Sequence, residues 1–390
     1  MIEALMMERF KCFDALTLPL APLTLFTGFN AAGKSTALQT LLLLSQTMRT
    51  QRGPAELRLK GALTNLGTPA DVINWKLGGV EMALGLKIGQ VELLWKFSLI
   101  DDGRRALRAT RLDFISGGSN RVFNTFDGLQ PHGLEGQSKD TFAALKHVIF
   151  LSGSRQVETD LLPVPEESED TTGDVGAIGQ FAAWWFHQEG DNPAHPSRNP
   201  KGLQAPTTLR NQLNAWAADL FPGIEFNAVP VSGTSLMRLE IKSGPTADWT
   251  RPANVGYGIS YAFPTLVAGL TAAEGSTLVI DSPEAHLHPR GQARMGAFLA
   301  QMAAAGVQVL IETHSDHVMD GVRIAIRESI LSPRDSAFHY FKRNESSSNI
   351  TITTPQIDDH GRLSEWPEGF FDQHRRNMAH LVRPKADKRL

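Results

Sequence analysis

Apolar positions recur along this chain with two periods, and the switches between them mark its elements. Leu16, Leu18 and Leu20 alternate with polar or small residues, which predicts a strand with one buried face. Residues 2–13 before it read as a second short strand, joined to it by a tight turn. Leu23-Thr24-Leu25-Phe26-Thr27 is an apolar, β-favouring run and predicts a buried strand. Residues 34–48 carry Leu38, Leu41, Leu42 and Leu44 without Gly or Pro, which predicts a helix. Residues 57–75 are broken by Gly61, Gly67 and Pro69 and read as loops and short elements. Residues 80–150 are β in character, with a strand at 91–99, a turn at Asp101-Asp102-Gly103 and a hairpin partner at 106–114. Residues 145–152 read as a core strand.

Residues 156–250 read as an insertion. An acidic, Ser/Thr-rich loop at 166–174 precedes helices at 178–188 and 209–220, the second with Leu213, Trp216 and Leu220 on a core-facing stripe. The intervening residues 190–206 are Pro/Gly-rich loop. After Arg251 the elements are a strand at 277–281, a helix at 291–305, a strand at 306–311, and strands at 338–342 and 350–353.

Composition narrows the class. Charged residues are 20% and hydrophobic residues 42% of 390, as in ordinary soluble globular proteins, and the length suggests two or three domains. A net charge of −3 gives no global attraction to nucleic acid. The single cysteine, Cys12, excludes an intrachain disulfide and a Cys-based zinc site, and fits a reducing cytoplasm. The N-terminus lacks a signal-peptide apolar core, and no run reaches the about 18 apolar residues of a membrane span, so the expectation is cytoplasmic with no membrane partner.

The chemistry concentrates in two places. Gly28-Phe29-Asn30-Ala31-Ala32-Gly33-Lys34-Ser35-Thr36 fits G-x-x-x-x-G-K-S/T, the phosphate-binding P-loop, and it lies between the expected strand and helix that the motif requires. Its backbone N–H groups would cradle phosphate at the positive end of a helix dipole. Lys34 would reach the β and γ phosphates of ATP, and the Ser35 hydroxyl would ligate Mg²⁺. Thr277-Leu278-Val279-Ile280-Asp281 is the Walker B pattern, in which Asp281 would hold the Mg²⁺ that Ser35 also touches. Ser282-Pro283-Glu284-Ala285-His286-Leu287-His288-Pro289 follows it. Glu312-Thr313-His314-Ser315 closes the next strand.

These pieces together resemble ABC-type P-loop ATPases of the branch containing the structural-maintenance-of-chromosomes (SMC) proteins and the overcoming-lysogenisation-defect (OLD) nucleases. Within that branch the chain looks most like the stand-alone AAA-family ATPases of bacterial anti-phage defence loci. The resemblance rests on Arg9-Phe10-Lys11-Cys12-Phe13, the P-loop, residues 281–289 and 311–315, and Trp366-Pro367-Glu368-Gly369-Phe370-Phe371-Asp372; between 90 and 250 it is only general. It implies an α/β fold: an ABC-type P-loop ATPase core of mostly parallel sheet with flanking helices, an antiparallel β arm and a mainly helical insertion. The corresponding regions are an N-terminal lobe at 1–154, the insertion at 155–250 and a C-terminal lobe at 251–390. His314 matches the γ-phosphate-sensing switch histidine, and residues 287–289 fall at the dimer-spanning D-loop. Asn254-Val255-Gly256-Tyr257-Gly258-Ile259-Ser260 falls at the signature, whose Gly256, Gly258 and Ser260 would close over ATP held by another copy.

The implied activity is a slow Mg·ATP hydrolase acting as a dimerising switch. It would work as a homodimer or larger homo-oligomer with ATP at the interface, and control a separate nuclease or toxin effector. Two departures from the family pattern stand out. Gly256 occupies the usual signature serine position, and Ser282 stands where the catalytic glutamate directly follows the aspartate. Glu284 is the nearest carboxylate, with Glu312 as the alternative base. A DNA-binding repair clamp of SMC type, and less well a transporter ATPase subunit, are the alternative functions.

Five further features have bland and sharp readings. Arg104, Arg105, Arg108 and Arg111 form either a solvated strand face, which the lack of interleaved aromatics favours, or a DNA phosphate patch. His286 and His288 lack a third ligand at metal spacing, which favours the D-loop reading. Arg155, just past a core strand, faces either a ligand crevice or solvent. The tail from residue 375 is basic and reads as disordered, with a nucleic-acid or partner arm as the sharper alternative; Asp358-Asp359 reads as a turn beside Gly361, with a nuclease carboxylate pair as the sharper alternative.

Overall fold

A computed structural model describes the chain apart from residues 50–52, 75–79, 101–105, 135–137, 156–158, 167–172, 203–206, 345–348, 368, 370–372 and 383–390. In chain order the elements are β1 (Ile2–Phe10), β2 (Phe13–Pro19), β3 (Leu23–Gly28), α1 (Lys34–Met48), α2 (Pro69–Val72), β4 (Glu81–Ile88), β5 (Val91–Ile100), β6 (Ala106–Ser116), β7 (Ser119–Phe123), β8 (Phe126–Asp127), β9 (Gln130–Pro131), α3 (Ser138–Lys146), β10 (Val148–Leu151) and β11 (Leu161–Pro163). Then come α4 (Ala182–Glu189), α5 (Leu209–Leu220), β12 (Ile224–Pro230), β13 (Leu236–Ser243), α6 (Tyr257–Thr271), β14 (Thr277–Asp281), α7 (Pro289–Ala304), β15 (Gln308–Glu312), α8 (Asp316–Arg327), β16 (Ser336–Arg343), β17 (Ile350–Thr353) and α9 (Gln373–Leu381).

The central sheet runs β10-β14-β15-β3-β16-β17, parallel except for the edge strand β17. Its strands are near-continuous apolar runs, as expected of parallel strands covered on both faces. A second sheet, β2-β1-β4-β5-β6-β7, is antiparallel and forms the expected β arm. Helix α1 lies between the two sheets. Leu38, Leu41, Leu42, Leu43 and Leu44 are all buried, in one cluster with Leu5, Leu84 and Trp95 of the arm and Val279 and Leu310 of the central sheet. A helix apolar on every side is stable only with cover on every side, and the two sheets supply it. Gln308 ties them together, donating to the Ile2 carbonyl at 2.6 Å and accepting from the Ile2 N–H at 2.9 Å.

The segment expected as a mainly helical insertion is a correction. Besides α4 and α5 it carries the antiparallel sheet β11-β13-β12. Ile224, Phe226 and Ala228 on β12 and Met237, Leu239 and Ile241 on β13 alternate inward. Their core is continuous with the central sheet: Phe263 of α6 packs edge-on against Phe186 and tilted on Phe226, and Trp216 packs edge-on against Phe298 of α7. Residues 145–146, expected in a strand, end α3 instead. The basic tail opens on α9, so its first turns are helical rather than disordered. Asp358 forms the expected turn, accepting N–H bonds from His360 and Arg362. Arg104, Arg105, the turn at 101–103, most of the acidic loop, residues 368 and 370–372, and the tail beyond 382 lie outside the described residues.

Candidate nucleotide site

Three parallel strands deliver the site from their carboxyl ends. Gly28 ends β3, Asp281 ends β14 and Glu312 ends β15, with Asp281 and Glu312 in register across the β14–β15 pair. Ligand crevices in open α/β sheets lie at such strand ends. Gly28 has φ +126°, and a Cβ there would overlap the Phe341 carbonyl of β16, so only glycine lets the chain turn off the strand. The loop then enters α1 at its N-terminus, where the first-turn N–H groups have no intrahelical acceptors.

Lys34 is 3% exposed, and its ammonium donates to the carbonyls of Phe29 at 2.9 Å and Gly28 at 3.2 Å. Burial lowers its pKa, opposed by the charges of Glu312 and Asp281. A cavity of about 290 Å³ runs over the loop, lined by residues 30–36 together with Lys11, Cys12, Glu312 and His314. Lys11 and Ala31, on this lining, hold left-handed backbone, as do Ser282 and His286 beside Asp281. Such strained residues persist where surrounding structure fixes them, and they cluster at functional sites.

The carboxylates pair differently from the sequence expectation. The Ser35 hydroxyl, expected to share a cation with Asp281, donates to Glu312 Oε1 at 2.8 Å. Asp281 Oδ1 accepts from the Ser282 hydroxyl at 2.7 Å, and Gly153 closes over Oδ2, where a Cβ would come within 2.9 Å. Ser35, Asp281 and Glu312 nonetheless face a common second cavity of about 480 Å³, whose other walls include Gln39, Phe150 and Ser152. Glu312 lines both cavities. Burial raises its pKa to about 7, against the Ser35 hydrogen bond.

Glu284, expected as the base, lines neither cavity. Its Oε2 accepts from the Thr313 hydroxyl and its Oε1 from the His314 N–H, both at 2.8 Å, so it acts as a clip on the Thr313–His314 segment. Burial raises its pKa. The His314 ring borders the P-loop cavity; burial, then the Lys34 charge, hold its pKa below the ordinary imidazole value.

Arg155 corrects both of its expected readings. It is 7% exposed and faces inward, donating to the carbonyls of Ser152, Tyr261 and Asp281 and to the Thr265 hydroxyl, with its guanidinium 4.0 Å over the Tyr261 ring. Burial pushes its pKa down to about 10. The Tyr261 hydroxyl lies within hydrogen-bond distance of the Gly153 and Ser282 carbonyls. Arg155 and Tyr261 therefore brace the start of α6 against the Asp281–Ser282 strand end. The sequence shows an arginine a few residues past an apolar strand; it does not show its inward direction.

In the signature-like segment Gly256 and Tyr257 are exposed at the N-terminus of α6. A Cβ on Gly258 would overlap the His286 carbonyl, so the loop seats directly on the turn after Asp281. Ser260, expected as a donor to nucleotide, is 4% exposed with its hydroxyl buried and is directed into the fold instead. No residue of 256–260 lines either cavity around Ser35. The His286 ring packs edge-on against Tyr257 at 4.4 Å, and His288 caps α7. Arg108 pairs with Glu56 at 3.0 Å and Arg111 with Asp113 at 2.6 Å, so the two described arginines of the hairpin face carboxylates of their own chain. Among the described residues no group of three or more His, Cys, Asp or Glu side chains forms a metal cluster, and no helix is long and apolar enough to cross a membrane.

Comparison with known proteins bears on the fold. Residues 183–320 match a family model described as "AAA domain, putative AbiEii toxin, Type IV TA system", and residues 331–381 match one described as "Protein of unknown function (DUF3696)". The energy-coupling factor transporter ATP-binding protein EcfA2 of Mesoplasma florum is 34% identical over 98 residues, 24% of this chain; the chain spans 31% of that relative's length. Among solved structures, an Smc head bound to the C-terminal winged-helix domain of ScpA matches 92% of this chain and 98% of its own, at 12% identity and a TM-score of 0.50. An Smc head with an extended coiled coil, bound to the C-terminal domain of ScpA and derived from Pyrococcus furiosus, matches 98% and 99% at 11% identity and a TM-score of 0.49. The chain has the α/β fold of an SMC-head, ABC-type P-loop ATPase.

Proposed function

We propose that this chain binds Mg·ATP at Lys34 and Ser35, hydrolyses it slowly, and works as a dimerising switch that controls a separate effector protein. The observation that carries the ATP part is the cavity over residues 30–36, with a buried ammonium, a helix N-terminus and a strand-end carboxylate converging on it. Backbone N–H groups and Lys34 would take the phosphates, whose binding replaces the carbonyls that Lys34 now contacts. Ser35 and Asp281 fit a magnesium site of the phosphate-sharing kind, which uses one or two protein oxygens and not a closed cage. Mg²⁺ held there would offset the charge of the phosphates. His314 borders the same cavity and would sense the γ-phosphate. Slow turnover follows from Ser282, which leaves no carboxylate directly after Asp281.

The dimer rests on the separation of 256–260 from both cavities of its own chain. Gly256 and Gly258 lie at the N-terminus of a 15-residue helix, a second anion-binding end that a nucleotide on another copy would complete. The effector, a nuclease or toxin, and the anti-phage setting rest on the family resemblance. The test is ATP binding by calorimetry: Lys34→Ala should weaken it by about 100-fold, the scale of a lost charge-assisted contact. Unchanged affinity would show that the P-loop is not the nucleotide site.

A further inference from the structure

A hydroxyl that ligates a cation through its oxygen must direct its proton elsewhere. For Ser35 the structure gives that proton an acceptor, Glu312 Oε1 at 2.8 Å. Asp281, the carboxylate the sequence pairs with Ser35, is turned to other groups: Oδ1 accepts from Ser282, and Oδ2 lies under Gly153. Glu312 is held where it is needed. It is 7% exposed, it ends β15 between β14 and β3, and its backbone carbonyl accepts the Ser282 N–H at 2.8 Å. It also walls both cavities that meet at Ser35.

We propose that Glu312 is the positioning residue of the Mg²⁺ site: by accepting the Ser35 proton it turns the lone pairs of the Ser35 oxygen toward the cation. Outer partners of this kind fix the orientation of the groups that touch a metal, and their loss typically costs about 10- to 100-fold in metal affinity. The inference rests on the Mg·ATP reading of the site. It assigns Glu312 a part distinct from that of a base, because what matters is hydrogen-bond acceptance at one oxygen and not proton abstraction from water.

The experiment measures binding of a fluorescent ATP analogue in EDTA and then titrates Mg²⁺, on wild type, Glu312→Ala, Glu312→Gln, Ser35→Ala and the Ser35→Ala/Glu312→Ala pair. Removing Glu312 also removes a charge beside Lys34, so the Mg²⁺ midpoint of each variant is read against its own binding in EDTA, which Lys34 and the loop backbone still support in Glu312→Ala. Its Mg²⁺ midpoint should rise about 10- to 100-fold, and Glu312→Gln, whose amide oxygen still accepts, should recover most of that loss. The double variant should shift no further than Ser35→Ala, because one residue acts through the other. A Glu312→Ala midpoint matching wild type, a Gln variant as impaired as the Ala variant, or additive single effects would each overturn the assignment. Wild type that binds no analogue with or without Mg²⁺ would overturn the nucleotide reading itself, and the role of Glu312 with it.

Discussion

Ser35 and Glu312 are 277 positions apart, yet their side chains meet at 2.8 Å. The P-loop is contiguous, so its residues and its strand–loop–helix setting are legible from sequence. The Ser35 partner is not, because it depends on β15 lying next to β3 in the sheet, which no local pattern specifies. The same pairing has a pH consequence. Glu312 has an ordinary value of 4.5 and is raised by burial to about 7 in the folded chain. An acid raised on folding contributes stability that is full below its unfolded value and is lost as pH climbs through the folded one. Relative to wild type, Glu312→Gln should therefore gain stability as pH rises from about 4.5 to about 8, reaching a plateau above that. Urea unfolding of both proteins across that range checks this; a difference that is flat with pH would mean that Glu312 titrates alike in the folded and unfolded chain.

At the scale of elements, legibility followed periodicity. α1 and α5 have the bounds their patterns predict, Lys34–Met48 and Leu209–Leu220, because one carries a leucine-rich run free of Gly and Pro and the other a clear stripe. β12 and β13 alternate as plainly, but they share their segment with α4 and α5, whose stronger helical pattern dominates the sequence there. α3 interrupts a β-rich region and is set by its packing on α1, a tertiary effect. Arg155 joins elements that sequence leaves separate, tying β10 to α6 and β14 through three carbonyls and a hydroxyl. Arg155→Met keeps the volume and strands those acceptors, so it should destabilise the fold by about 3 kcal/mol. A urea midpoint lowered at unchanged slope is the expected result, and a midpoint equal to wild type would remove the brace from the account.

For the whole molecule, the two glycine-bearing loops sit in different surroundings: one over the P-loop cavity, the other against the His286 turn and open at Gly256 and Tyr257. Direct DNA binding by the arm finds little support at Arg108 and Arg111, whose charges are matched by Glu56 and Asp113. Replacing both arginines by Gln should leave the salt dependence of any DNA binding nearly unchanged; a slope reduced by about two would restore the patch. The switch reading makes the nucleotide the glue between copies, and solution mass with and without nucleotide tests it most directly. Light scattering with Mg²⁺ and a non-hydrolysable ATP analogue should show the mass doubling or rising to a larger multiple, with Gly256→Asp, at an exposed position where a Cβ meets nothing nearer than 4.0 Å, binding the analogue but staying at the mass of the free chain. A wild-type mass that stays the same while the analogue is demonstrably bound would contradict it.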